Sequence, residues 1–130
     1  MSRVVHFEIH VDNPARAMKF YEQTFAWKFQ KWGEVDYWMV FTGPDNEPGI
    51  NGGLMPRKCP LDGSKAITSY VCTVDVADLD ASLEQIIKAG GTLALAKMPI
   101  PGTGWLAYCH DPEGNIFGIM QNDPSAQMPA

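Results

Sequence analysis

Polar and apolar side chains alternate through the segment VVHFEIHVD, residues 4–12. A period of two places successive side chains on opposite faces of a strand, so this segment is predicted to be a β-strand with one buried face. The apolar members would pack into a core, and the polar members would share the other face. The apolar set is Phe7, Ile9 and Val11, and the polar set is His6, Glu8 and His10.

The period of the pattern changes after this strand. In NPARAMKFYEQTF, residues 13–25, apolar side chains recur at helical spacing. Asn13 is predicted to cap this helix and Pro14 to occupy its first position. Three further strands are then predicted in WKFQKW, DYWMVFTG and NGGLMPR, with the turn-forming GPDNEPG before the last of them. The order of elements is strand, helix, strand, strand, strand, or βαβββ.

The same order repeats in the second half of the chain. SYVCTVD matches HFEIHVD with Ser69 opposite His6, a constant offset of 63 positions that aligns a shared Val-Asp. A second amphipathic helix follows in DLDASLEQIIKAGG, and TLALAKM, GWLAYC and NIFGIMQ supply three strands, the last two joined by the turn DPEGN. We therefore predict an α+β protein, a single domain of two tandem βαβββ modules. The modules are predicted at about 4–57 and 67–121, with a linker at 58–66 and a loose tail at 122–130.

Composition narrows the classes of function. The chain has 130 residues and a formal net charge of −5. An acidic chain without a cluster of Lys or Arg is not expected to bind nucleic acid. It has no uninterrupted apolar run of about eighteen residues, so no membrane segment is predicted. Three cysteines without a CxxC pair fit a reducing compartment, and we expect a cytoplasmic protein. Cys72 and Cys109 are predicted to be buried and Cys59 to be exposed.

The segments VVHFEIHVDNPARAMKFYEQTF and DPEGNIFGIMQ, within a doubled βαβββ pattern, resemble the vicinal oxygen chelate superfamily. That group includes glyoxalase I, bleomycin-resistance proteins, fosfomycin-resistance enzymes and extradiol dioxygenases. The resemblance covers most of the chain. It implies a glyoxalase-like curved sheet in which two modules enclose a cavity for a small molecule. It does not specify a reaction, because one fold hosts many activities.

The resemblance also implies where a metal ion would bind. Metal-dependent members take ligands from the first strand and the last strand of each module. His6 matches one of these positions, but Ser69 and Gly118 stand at two others, and the fourth offers only Asn51 as a weak candidate. His6 is thus the only retained ligand position, and no cofactor is expected. A divalent metal ion held by His6 and Glu8 is the alternative, if a substrate completes the site.

Two functions of different class remain open. In the first, the protein is a lyase, isomerase or epimerase for a small carbonyl compound, in which Glu8 transfers a proton and His6 assists it. Burial among aromatic side chains would disfavour the charged form of Glu8 and suit it to this chemistry. Glyoxalase I activity itself is not expected. In the second, the protein sequesters an aromatic or drug-like compound without catalysis, as bleomycin-resistance proteins do. A simpler interpretation is that Glu8 and His6 only bond to each other in a polar patch. The predicted ligand contacts are His10, Trp38, Ser69 and Trp105.

The expected partners are a small molecule and a second copy of the chain. Each module leaves a sheet edge that must be covered, and we expect a homodimer. The segment MPIPGTGW, residues 98–105, is predicted to be either a lid or a stiff hairpin loop.

Overall fold

The computed structural model describes residues 2–59 and 66–127. Most of the predicted linker and the last residues of the predicted tail lie outside these ranges. The described chain forms two compact units. The N-terminal unit spans His6–Val71, and the C-terminal unit runs from Cys72 onward and includes the first residues, up to Val5.

Each unit contains the predicted βαβββ order. In the N-terminal unit the strand order is β2-β3-β4-β1, and in the C-terminal unit it is β5-β8-β7-β6. The first and last strands of each unit are parallel neighbours, and the other pairs are antiparallel. The elements are β1 (Val4–Val11), α1 (Pro14–Phe25), β2 (Lys28–Lys31), β3 (Trp38–Phe41), β4 (Gly52–Pro56), β5 (Val71–Asp75), α2 (Leu79–Lys88), β6 (Thr92–Ile100), β7 (Gly104–His110) and β8 (Ile116–Asn122).

Both helices begin at the predicted kind of residue. The Asn13 side chain accepts a hydrogen bond from the backbone N–H of Arg16 at 3.0 Å, and Pro14 occupies the first turn of α1. Asp78 caps α2 in the same way by accepting from the N–H of Ala81 at 3.1 Å. These caps fix where each helix starts relative to the strand before it.

The helix-facing side of β1 forms the core of the N-terminal unit. Phe7 and Ile9 are buried with Val40 and Leu54, and side chains of α1 pack against them. The predicted alternation along β1 is therefore confirmed, and the side opposite α1 is left to the polar set. The C-terminal unit has an equivalent core, which comprises Val76, Leu79, Ala107 and Ile119.

The two units correspond at an offset of 65 positions, so the offset of 63 is wrong. Asp78 caps α2 as Asn13 caps α1, and β5 and β8 pair Thr73 with Gly118 as β1 and β4 pair Glu8 with Gly53. The shared Val-Asp misled the alignment because two more residues separate it from the cap in the second unit.

Ser69 is consequently not the counterpart of His6. It is exposed and precedes β5, and the residue that corresponds to His6 is the buried Val71. On the same basis the counterpart of Glu8 is Thr73, which is also buried.

The segment after β6 forms a hairpin. Ile100 pairs with Gly104, and the N–H of Thr103 donates to the carbonyl of Ile100 at 2.9 Å, as expected of a stiff hairpin loop and not of a lid. Within the segment predicted to be a loose tail, β8 extends to Asn122. Ala126 is buried, and its carbonyl accepts from the N–H of Gly102 at 3.0 Å.

The cysteines are arranged differently from the prediction. Cys109 is buried as expected, but Cys72 is exposed and Cys59 is partly buried. Cys72 shares a side of β5 with Val74, which packs on the α2 core, but the thiol lies beyond that core. Within the described residues, no helix is long and apolar enough to cross a membrane.

Candidate active site around Glu8

Glu8 is a buried carboxyl group on the sheet face opposite α1. Only 6% of the residue is exposed. Its neighbours along β1, Phe7 and Ile9, belong to the core on the other face. Strand alternation directs its side chain away from those two and toward the face that the sequence assigned to the polar set. Buried carboxyl groups need hydrogen-bond partners, because desolvation of a bare charge is costly.

One partner of Glu8 is the hydroxyl group of Tyr37. Tyr37 Oη donates to Glu8 Oε2 at 3.2 Å, and His6 Nε2 lies 3.1 Å from the same hydroxyl oxygen. His6 Nε2 and Glu8 Oε2 are 3.8 Å apart. A tyrosine hydroxyl has a single proton, so when Tyr37 donates to Glu8, His6 must donate to Tyr37. The three side chains thus form a chain of hydrogen bonds from His6 through Tyr37 to Glu8.

This contact depends on a glycine in the neighbouring strand. Gly53 of β4 lies directly opposite Glu8 in the parallel pair. A Cβ atom at position 53 would overlap the hydroxyl oxygen and the adjoining ring carbon of Tyr37. The missing side chain therefore provides the space in which the Tyr37 hydroxyl reaches the carboxyl group.

The electrostatics keep Tyr37 protonated. Burial raises the pKa of Tyr37 strongly, and the negative charge of Glu8 and the hydrogen bond to it raise that pKa further. The hydroxyl is therefore a neutral donor at every pH near neutrality. Burial lowers the pKa of His10, against the opposing effect of Glu8, and the positive charges of Arg57 and Lys58 lower it further. His10 is consequently a neutral side chain near pH 7.

The two tryptophans among the predicted ligand contacts each pack within their own unit. Trp38 pairs with Leu54 and packs on the helix-side core of its unit, so its ring lies on the face opposite Glu8. Trp105 packs on the helix-side core of the other unit, and its Nε1–H donates to Asp123 at 3.1 Å. The physical reason is strand alternation, which directs each of these tryptophans to the side where its unit has a helix.

Tyr37 is the residue that sequence reasoning missed as a partner of Glu8. It is not among the predicted ligand contacts. The signal that would have found it is its position immediately before Trp38. Once Trp38 and Val40 are assigned to the core side, the preceding residue must face the other way, toward Glu8.

The residues around Glu8 do not fit a divalent metal ion. Among the described residues there is no group of three or more His, Cys, Asp or Glu side chains that could hold one. The last-strand positions are the glycines 53 and 118. The side-chain oxygen of Asn51, the weak candidate, accepts from the N–H of Thr42 at 2.9 Å. Two ligands, His6 and Glu8, fall short of the three or four protein ligands that zinc sites use.

The family of the chain follows from a match to a known family model. The model of the glyoxalase/bleomycin resistance protein/dioxygenase superfamily matches residues 3–119. The chain belongs to this superfamily, as its two βαβββ units and the resemblance of its motifs led us to expect.

Individual relatives agree with the assignment. A glyoxylase-like domain-containing protein from Didymella fabae is 30% identical over 118 residues, which cover 86% of this chain and 88% of the relative. A superfamily member from Vibrio splendidus superposes with a TM-score of 0.64 at 17% identity, covering 95% of this chain and 100% of that one. Methylmalonyl-CoA epimerase from Mycobacterium tuberculosis superposes with a TM-score of 0.62 at 15% identity, covering 93% and 88% of the two chains. At these identities the solved structures show a shared fold.

Proposed function

We propose that the protein is an isomerase, epimerase or lyase that transfers a proton at the carbon next to the carbonyl group of a small organic compound, without a metal ion. The observation that carries this proposal is the buried Glu8 carboxyl group, bonded to a neutral tyrosine hydroxyl with a histidine behind it. Buried carboxyl groups with specific partners are candidates for general acid and base catalysis.

The proposed step is enolisation. The Glu8 carboxylate removes the proton from the α-carbon, the electron pair of the broken C–H bond forms a C=C bond, and the carbonyl π electrons move to the oxygen. Delivery of a solvent proton to the opposite face of the same carbon, with the first proton kept on Glu8, gives an epimer. Return of the proton to a different atom gives an isomer, and loss of a leaving group gives a lyase product.

His6 supplies a route between Glu8 and water. The side chain of His6 is 35% exposed, whereas that of Glu8 is 8% exposed. The chain of hydrogen bonds through Tyr37 therefore links a buried carboxyl group to a partly exposed imidazole. A proton taken up by Glu8 is expected to exchange with solvent through His6, whose Nε2 lies 3.8 Å from Glu8 Oε2.

Two further observations support this choice. A protein named methylmalonyl-CoA epimerase has the same fold, so the fold is compatible with such chemistry. The sequestration alternative relied on Trp38 and Trp105, whose rings pack on the helix-side cores of their units. No specific observation in the described residues favours sequestration, and we do not adopt it.

The test is exchange of α-hydrogen for deuterium. The protein is incubated in D₂O with a panel of 2-keto acids, 2-hydroxyaldehydes and a methylmalonyl thioester, and exchange is followed by NMR in the presence of EDTA. Glu8→Gln is expected to lower the exchange rate by about 10²–10⁴-fold, the usual contribution of a general base. Glu84→Gln makes the same change at an exposed position of α2 and should have no effect. Absence of exchange with every compound, or equal rates in the two variants, would contradict the proposal.

A further inference from the structure

The hydrogen bond between Tyr37 and Glu8 is longer than such bonds usually are. Tyr37 Oη lies 3.2 Å from Glu8 Oε2, whereas an O–H donor and a carboxylate typically approach to about 2.5–2.7 Å. At that separation the carboxylate holds the Tyr37 proton weakly. A better-placed oxygen atom can therefore compete with Glu8 for this donor.

The surroundings of Tyr37 increase its strength as a donor. His6 Nε2 lies 3.1 Å from the hydroxyl oxygen and 3.8 Å from Glu8 Oε2, so the three groups form a compact triangle. A hydrogen bond donated to an oxygen polarises the O–H bond of that oxygen and strengthens the bond it donates in turn. Gly53 leaves open the space that the hydroxyl occupies. The hydroxyl is thus held in place and polarised, and its one proton is shared with Glu8 across a long hydrogen bond.

We propose that Tyr37 is the electrophilic residue of the site, which donates its hydrogen bond to the substrate carbonyl oxygen as negative charge develops there. This inference rests on the proposed function. In the free protein the hydroxyl donates to Glu8, and with substrate bound it turns to the carbonyl oxygen while Glu8 removes the α-proton. No proton leaves Tyr37, and the bond order changes are those of the enolisation step.

The geometry suits one substrate that contacts both residues. The carbonyl carbon and the α-carbon are bonded neighbours, so the oxygen and the hydrogen that react lie close together. A base and a donor that are one hydrogen bond apart can reach both at once. A donor directed at the developing oxyanion contributes to the rate because it stabilises the transition state more than the ground state.

The competing interpretation is that Tyr37 only positions Glu8. The two roles differ in their kinetics. A positioning residue tunes the protonation of Glu8. Loss of Tyr37 in that role would shift the acid limb of the pH profile and leave the plateau rate unchanged. Loss of a donor to the oxyanion lowers the plateau value of kcat, whereas KM and the acid limb change little.

The closing experiment compares Tyr37→Phe with Tyr70→Phe in the exchange assay across the pH range. Tyr70 is a matched control, because its hydroxyl donates to Tyr21 at 2.8 Å and its ring stacks on Phe7, on the core side of the same unit. Binding of oxalate, a planar oxyanion probe, is measured in parallel by calorimetry. Replacement of Tyr37 by 3-fluorotyrosine, a stronger acid of nearly the same shape, serves if the phenylalanine variant does not fold.

We expect Tyr37→Phe to lower the plateau kcat by about 10²–10³-fold, as removal of one oxyanion donor does. Tyr70→Phe should leave kcat unchanged. Replacement of Tyr37 by 3-fluorotyrosine should alter kcat. A shifted acid limb with an unchanged plateau would overturn the donor role and leave the proposed function standing. If the wild-type protein exchanges nothing, the proposed function fails. The donor role then survives only if Tyr37→Phe, and not Tyr70→Phe, weakens oxalate binding at least tenfold. Equal oxalate binding by the two variants, or no oxalate binding by the wild-type protein, would overturn the donor role as well.

Discussion

Substitution of Gly53 by alanine tests whether the glycine exists to admit Tyr37. Gly53 does not have a positive φ, so alanine is compatible with the backbone and the effect is confined to the side chain. The new methyl group would overlap the Tyr37 hydroxyl and displace it from Glu8. A lost hydrogen bond to a charged group costs about 1.5–3 kcal/mol, and overpacking costs about 1–3 kcal/mol. We expect the free energy of unfolding to fall by about 3–4 kcal/mol.

The assay is urea and thermal unfolding of Gly53→Ala beside Gly43→Ala, which has open space around its Cβ position. At about 4 °C per kcal/mol for a chain of this size, the midpoint of Gly53→Ala should fall by roughly 10–15 °C, while Gly43→Ala stays near wild type. In a Tyr37→Ala background the same substitution should cost much less, because the overlapping ring is gone. Equal stabilities of the two alanine variants, or additive effects with Tyr37→Ala, would refute the reasoning.

Three further predictions follow from other contacts. Gly118→Ala should lower the free energy of unfolding by about 1–2 kcal/mol in urea, less than Gly53→Ala does. The new Cβ would lie 2.8 Å from Thr73 Oγ1, a hydroxyl group that can rotate. A loss of stability as large as that of Gly53→Ala would contradict this. Because the pKa of Tyr37 is raised in the folded state, the folded protein keeps a proton that the unfolded chain releases above about pH 10. The free energy of unfolding should therefore fall more steeply above that pH in wild type than in Tyr37→Phe. Parallel curves for the two proteins would argue against this. Cys72 should react quickly with a thiol reagent in the native protein, whereas Cys109, buried and with its pKa raised by burial, should react only on unfolding. Rapid labelling of Cys109 in the native Cys72→Ser variant would be inconsistent with the fold.

The elements were predictable from sequence because each has a strong local signal. Alternation along β1 separates the core residues from the polar set, and capping residues mark both helix starts. The same alternation places Glu8 and His6 together on the face opposite the core. Residues two apart in a strand share a face. The proximity of these two side chains could therefore be predicted without knowing which strands pair.

The partner of Glu8 depends on pairing between strands that are distant in sequence. Tyr37 reaches Glu8 across 29 positions of the chain, and the contact also requires Gly53 at one position of β4. Local periodicity gives neither the pairing register nor the identity of the aromatic residue that faces inward. The sequence analysis therefore named Trp38 as a ligand contact and did not find that its neighbour Tyr37 contacts Glu8.

The corrected offset of 65 changes the meaning of the glycines at the last-strand positions. Gly53 lies opposite Glu8 and Gly118 lies opposite Thr73, so the two glycines are equivalent in their units. Around both, the space for a Cβ is taken by other side chains: Tyr37 at the first, and the Thr73 hydroxyl at the second. A carboxylate at either position would therefore meet an existing side chain before it reached an ion. The two glycines therefore leave room for the side chains that pack over them, Tyr37 in one unit and Thr73 in the other.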